Sequence, residues 1–163
     1  PWNRTSPQHV SADDLSRLFP GGFFDEAFAV VRHPVARMLS EFHYLRDNGM
    51  LASEYNGFSD WLNRVSMSYA KCRFTFDNHL RPMCEIVPSS TTVFKLEDGL
   101  DQVVSHLDTL AGNNDGPRFI EPWNQKRQVT ESVVATERDI ALIERLYSRD
   151  FDRFNYARSE LVV

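Results

Sequence analysis

The sequence predicts an α/β fold, a parallel sheet flanked by helices. Three observations predict it. Two short apolar runs, Phe28-Ala29-Val30-Val31 and Thr92-Val93-Phe94-Lys95-Leu96, read as strands by their length and their β-branched and aromatic content. Each is followed by apolar residues recurring at helical spacing. The joints carry turn signals: Pro20-Gly21-Gly22, Asn48-Gly49, Pro88-Ser89-Ser90, and the loop from Gly112 to Pro117. There is no internal repeat or low-complexity tract, and 163 residues suit one domain over 1–163.

Taken in order, Ser11 reads as a helix N-cap, with an acidic residue at the third helical position as a variant of the capping box. Leu15, Leu18 and Phe19 give that helix a short apolar face, and Pro20-Gly21-Gly22 stops it. The run ending at Val31 is continuous enough to predict a strand buried on both faces. Pro34 suits a first helical turn. Val35, Met38, Leu39, Phe42 and Leu45 then mark a helix that Gly49 ends. Phe58, Trp61, Leu62 and Val65 mark another. Glu85-Ile86-Val87 reads as a short extended segment. After the second strand, Leu100, Val103, Val104, Leu107 and Leu110 predict a long helix, with Asp98 and Asp101 in its first turn. Thr136 opens a last helix, with Ile140, Ile143, Tyr147, Phe151 and Phe154 along one stripe. Two or three strands are few for such a sheet.

Composition narrows the function. Hydrophobic residues at 42% and twelve Phe supply a core and exclude wholesale disorder. A net charge of -5 argues against a general nucleic-acid binder, which needs a basic excess. No apolar run approaches the roughly 20 residues of a membrane span, and no secretory signal stands at the start. The chain begins at Pro1 rather than Met and reads as an excised piece. Cys72 and Cys84 are either one bridge or two thiols. With His79 they lack the paired short spacing of zinc ligands, so no metal is expected.

Ligands of open α/β sheets bind beyond the carboxyl ends of the strands. Arg32 stands at such an end, just before a helix N-terminus, where a cation beside unpaired N–H groups favours phosphate or sulfate. On the following helix Arg37, Ser40 and Tyr44 fall on the face opposite the apolar stripe. Spacing alone reads that face as solvated, with Arg37 and Glu41 as an i,i+4 pair.

The segment Phe28-Ala29-Val30-Val31-Arg32-His33-Pro34-Val35-Ala36-Arg37-Met38-Leu39-Ser40 resembles the phosphate-binding segment of sulfotransferases. It is most similar to the Golgi-type carbohydrate enzymes, the heparan/uronyl 2-O and chondroitin/dermatan types with their bacterial relatives. Their pattern is an apolar strand followed by Arg-Asp/Asn-Pro-x-x-Arg-x-x-Ser-x-Tyr. Here His33 replaces Asp or Asn, and Phe42 replaces the Tyr. The resemblance implies a P-loop-like sulfotransferase fold and a donor, 3′-phosphoadenosine 5′-phosphosulfate (PAPS), whose 3′-phosphate is held by Arg32 and Ser40. His9-Val10-Ser11 resembles the segment that supplies the catalytic base in uronyl 2-O-type enzymes, which implies His9 as the base. Asn78-His79-Leu80-Arg81-Pro82 resembles the His-Trp-Arg-Pro segment of chondroitin-type enzymes and makes His79 the rival. His33, His43 and His106 read as structural or solvated. Val93-Phe94-Lys95-Leu96-Glu97 resembles the second core strand. Leu146 to Tyr156 resembles the C-terminal Tyr-x-x-Asp-Phe-x-x-Phe-x-Tyr helix. Lys126 and Arg127, near Trp123, resemble a late basic loop that closes over the nucleotide.

The family also needs a strand–loop–helix whose Gly/Ser/Thr-rich loop and Lys cradle the 5′-phosphosulfate. Nothing before Pro20 has that pattern, so the resemblance implies that this segment is missing from the sequence or lost from the protein. The expected partner is a carbohydrate or glycolipid acceptor. An acidic chain points to a neutral or lightly charged one. Two other readings stand beside the enzyme: a non-catalytic nucleotide- or anion-binding module on the same scaffold, and a P-loop kinase-like phosphotransferase. The absent GxxxxGK[ST] loop and the lack of an evident Mg²⁺ carboxylate weigh against the latter.

Overall fold

The computed structural model describes residues 5–117, 120 and 133–158. The chain opens with a 3₁₀ turn, Pro7–His9, and then α1, Ala12–Leu18. Strand β1, Phe28–Val31, leads into α2, Pro34–Asp47, and α3, Gly57–Lys71. A 3₁₀ turn at Met83–Glu85 precedes β2, Thr92–Lys95, and another at Leu96–Asp98 precedes α4, Asp101–Ala111. Helices α5, Glu137–Leu146, and α6, Ser148–Arg153, follow. The two strands pair in parallel, with Phe28 opposite Thr92 and Val31 opposite Lys95. The expected mixture of helices with a small parallel sheet is therefore present.

Local chemistry explains the helix ends. The Ser11 hydroxyl accepts the Asp14 N–H. Thr136 and Asp139 form a full capping box, and the Asp139 carboxylate also accepts the Ser59 hydroxyl, tying α5 to α3. After α2, Gly49 turns the chain at a φ of 65° that L side chains rarely adopt.

The main core lies among the helices. Val35, Met38, Phe42 and Leu45 of α2 meet Phe58, Trp61, Leu62 and Val65 of α3, and Ile140, Ile143, Tyr147 and Phe151 from α5 onward. These are the stripes that the spacing predicts. A smaller cluster packs one face of the sheet, with Val31 against Met83, Val87 and Phe154.

Four expectations are corrected. Strand β1 is not buried on both faces: Phe28 and Val30 are 42% and 41% exposed. Their face meets only the His106 ring of α4 and Phe94 among the described aromatic side chains. The Glu85 segment is not extended but part of the 3₁₀ turn, because Asp150 of α6 accepts the Met83 and Cys84 amides and closes it. Asp98 lies in the 3₁₀ turn before α4 rather than in its first turn, and Leu107 and Leu110 of its stripe are exposed. The last predicted helix is two, broken at Tyr147. Cys72 and Cys84 are free thiols, and burial, with Asp150 beside it, pushes Cys84 up to about 12. No helix among the described residues is long and apolar enough to cross a membrane.

Candidate active site

The carboxyl edge of the sheet places the first group of residues. Val31 is buried, and Arg32 and His33 form the turn into α2. His33 caps that helix as Asp or Asn would: its Nδ1 accepts the Val35 N–H at 3.3 Å. The opposite nitrogen donates to the Ala157 carbonyl at 3.3 Å, which assigns the Nε2–H tautomer. The His33 amide donates to Glu97 Oε1 at 2.7 Å, and the Tyr156 hydroxyl donates to Glu97 Oε2 at 3.1 Å. Glu97 follows β2, so one carboxylate joins the ends of both strands. Burial and Glu97 push the Tyr156 phenol up, while the Arg32 charge opposes the shift. Arg32 thus acts on this corner and is engaged within the protein.

Helix α2 links this corner to a second group. Ser40 is half-buried and Tyr44 exposed. Arg37 and Glu41 are not a solvated pair, since each reaches the 79–81 loop. Arg37 Nη2 donates to the carbonyls of His79 at 2.6 Å and Arg81 at 2.9 Å, and its guanidinium lies 5.7 Å from the centre of the Tyr147 ring. Glu41 Oε1 lies 3.1 Å from His79 Nδ1. That bond raises the His79 pKa above the ordinary imidazole value, against the opposing pull of partial burial.

His9 meets the same loop from the N-terminal side. Its Nδ1 lies 2.8 Å from Asp77 Oδ2 and 3.0 Å from the Ser6 hydroxyl. The Ser6 amide donates to Asp77 Oδ1 at 2.7 Å, and the Asn78 side-chain amide donates to the His9 carbonyl at 2.7 Å. The Ser6 hydroxyl, the His9 ring and the Ser6 amide hold the Asp77 carboxyl down to about 2, so it is ionised at neutral pH. The His9 and His79 rings stand edge to face with centroids 4.5 Å apart.

The structure thus brings together His9 and His79, the two rival bases, and supplies each with a carboxylate. An imidazole whose Nδ1–H is taken by a carboxylate presents the lone pair of Nε2 to a hydroxyl proton. The sequence shows Glu41 only as a partner for Arg37 and gives no sign of its contact with His79 or of the role of Asp77. Asp77 pairs with a residue 68 positions away, and only the Asp-Asn pair before His79, tolerant of left-handed backbone, hinted at a special turn. Lys126, Arg127 and Trp123 lie outside the described residues. Among the described residues no cluster of His, Cys, Asp or Glu is placed to hold a metal ion.

No curated protein and no solved structure matches the chain. The model of the sulfotransferase family matches residues 3–157, a span that takes in the Arg32 turn, α2 and both histidine–carboxylate pairs, and the chain belongs to that family of sulfuryl transferases.

Proposed function

We propose that the protein moves a sulfuryl group from PAPS to a hydroxyl of a carbohydrate or glycolipid. In this reading Arg32 and Ser40 hold the 3′-phosphate and His9 is the base. The supporting observation is the pair of carboxylate-backed imidazoles carried beside the same helix that begins at the Arg32 turn. Glu41, which holds His79, stands seven residues into α2 from Pro34, about 10 Å along the axis at the usual helical rise. Ser40 is its neighbour. In this reading one rigid helix carries both Ser40, assigned to the 3′-phosphate, and the carboxylate that holds His79, whose ring stands against His9.

The reaction needs in-line alignment, stabilised charge and a proton acceptor. The acceptor oxygen forms its bond to sulfur as the bond from sulfur to the nucleotide's bridging oxygen breaks. The hydroxyl proton passes to His9 Nε2, and adenosine 3′,5′-bisphosphate departs. Lys126 and Arg127 are assigned to the nucleotide by resemblance alone. No residue of this sequence is assigned to the 5′-phosphosulfate.

Calorimetry of adenosine 3′,5′-bisphosphate binding to the full chain tests the donor assignment. Arg32→Ala removes a charge-assisted hydrogen bond and is expected to weaken binding by about 1.5–3 kcal/mol. Ser40→Ala is expected to weaken it less, with stability nearly unchanged. Equal affinities in wild type and a folded Arg32→Ala variant would overturn the assignment.

A further inference from the structure

We propose that Asp77 is the positioning residue of His9: it fixes the ring as the Nδ1–H tautomer, so that Nε2 is the nitrogen that takes the acceptor proton. The proposal rests on the reading of His9 as the base, but its structural half stands independently of turnover.

Both oxygens of Asp77 are committed to the 6–9 segment, one to His9 Nδ1 and the other to the Ser6 amide. The carboxylate therefore cannot rotate without losing a bond. An ionised carboxylate only accepts, so the shared proton belongs to His9 Nδ1. Asn78 holds the His9 backbone through its carbonyl, and Asn78 is itself fully buried. Ring and main chain of His9 are thus gripped by two successive residues of one loop.

The backbone beneath this grip is strained. Phe76, Asp77 and Asn78 have φ of 51°, 53° and 68°, three consecutive non-glycine residues in the left-handed region. That conformation disfavours L-residues, least for Asp and Asn. Core packing does not account for it at Phe76, which is exposed, or at Asp77, which is half-exposed, while Asn78 is buried where its side chain donates to the His9 carbonyl. The run turns Asp77 and Asn78 together toward the 6–9 segment. Strain held at residues that grip a reactive side chain is the pattern of a functional site.

Among the described residues few charged and titratable groups surround His9. Asp77 faces Nδ1, and the His79 ring stands against the His9 ring. Behind His79 lie Glu41 and the Arg37 guanidinium. Asp77 is in direct contact with His9 Nδ1, so its removal acts on the tautomer of that ring.

The experiment is nitrogen-15 NMR of the His9 ring in the full chain, for wild type and Asp77→Asn, alongside turnover and bisphosphate affinity. Asn is isosteric but offers an amide N–H to Nδ1. Wild-type His9, when neutral, is expected as the Nδ1–H tautomer, and in Asp77→Asn the population shifts toward Nε2–H. Turnover is expected to fall about 100-fold or more, the scale of a misplaced reacting group. Bisphosphate affinity stays unchanged. Wild-type His9 found as Nε2–H overturns the proposal even if no variant folds. So does an unchanged tautomer in Asp77→Asn with turnover within threefold of wild type. A tautomer shift in a protein where His9→Ala turns over normally supports the hold of Asp77 on the ring and overturns His9 as the base.

Discussion

His33 stands where the related pattern has Asp or Asn, and the structure shows why an imidazole serves. Its Nδ1 takes the cap of α2, and its ring packs 5.3 Å from Phe151 and 5.2 Å from Tyr156. His33→Ala is expected to lose the cap, about 1 kcal/mol, and ring contacts on the order of 1 kcal/mol. His33→Asn restores the cap alone, so urea unfolding should place it between wild type and Ala. Equal stability of the Asn and Ala variants would contradict the cap. At His79 the contact with Glu41 raises the folded pKa. Its stabilisation is complete below the ordinary histidine value near 6.5 and is lost as pH rises through the folded value. Asp77 runs the other way: its stabilisation is complete above the ordinary value of 3.8 and is lost as pH falls toward about 2. Glu41→Gln is therefore expected to lower the NMR titration midpoint of His79, and an unmoved midpoint would show that the contact is absent in solution. The roles of Arg37 and Glu41 were illegible at this scale. A helical wheel shows that they share a face, but not that the 79–81 loop covers it.

At the scale of elements, α6 closes the loop that leads out of the site. Asp150 is fully buried and accepts the Met83 and Cys84 amides, each at 2.8 Å. Arg153, one turn on, donates to the carbonyls of Cys84, Val87 and Pro88. Tyr147, at the break between α5 and α6, donates to the Leu80 carbonyl at 2.8 Å. Asp150→Ala leaves the buried Met83 amide and the partly buried Cys84 amide without this acceptor and is expected to cost roughly 3 kcal/mol or more, since bonds to charged groups are worth about 1.5–3 kcal/mol each. Urea unfolding measures it, and a loss under 1 kcal/mol would show that the turn is held by other contacts. Strands and long helices were legible because β-branched runs and 3.6-residue stripes are local signals. The turn at Met83–Glu85 was not, because its acceptor lies 66 or 67 residues away. The break at Tyr147 was hidden too: the apolar stripe runs through it, as Ile143, Tyr147 and Phe151 all reach the same core.

Across the whole molecule, the candidate site is assembled from three distant segments: residues 6–9, α2 and the 77–81 loop. The histidines were legible through resemblance and the Arg32 turn through its strand–Pro–helix pattern. The pairing of His9 with Asp77 and of His79 with Glu41 was not, because side-chain contacts across 68 and 38 residues leave no periodic trace. The sheet was read correctly as small and parallel, but its outer face proved open at Phe28 and Val30, since a continuous apolar run signals burial only when both faces find partners. We propose that this arrangement performs sulfuryl transfer with His9 as the base. The most direct test is turnover of labelled PAPS by the full chain with a panel of neutral and uronate-bearing glycans, comparing wild type, His9→Ala and His79→Ala. His9→Ala is expected to lower turnover by about 10²–10⁴ with unchanged affinity for adenosine 3′,5′-bisphosphate. Normal turnover in His9→Ala, with turnover abolished in His79→Ala, would contradict it.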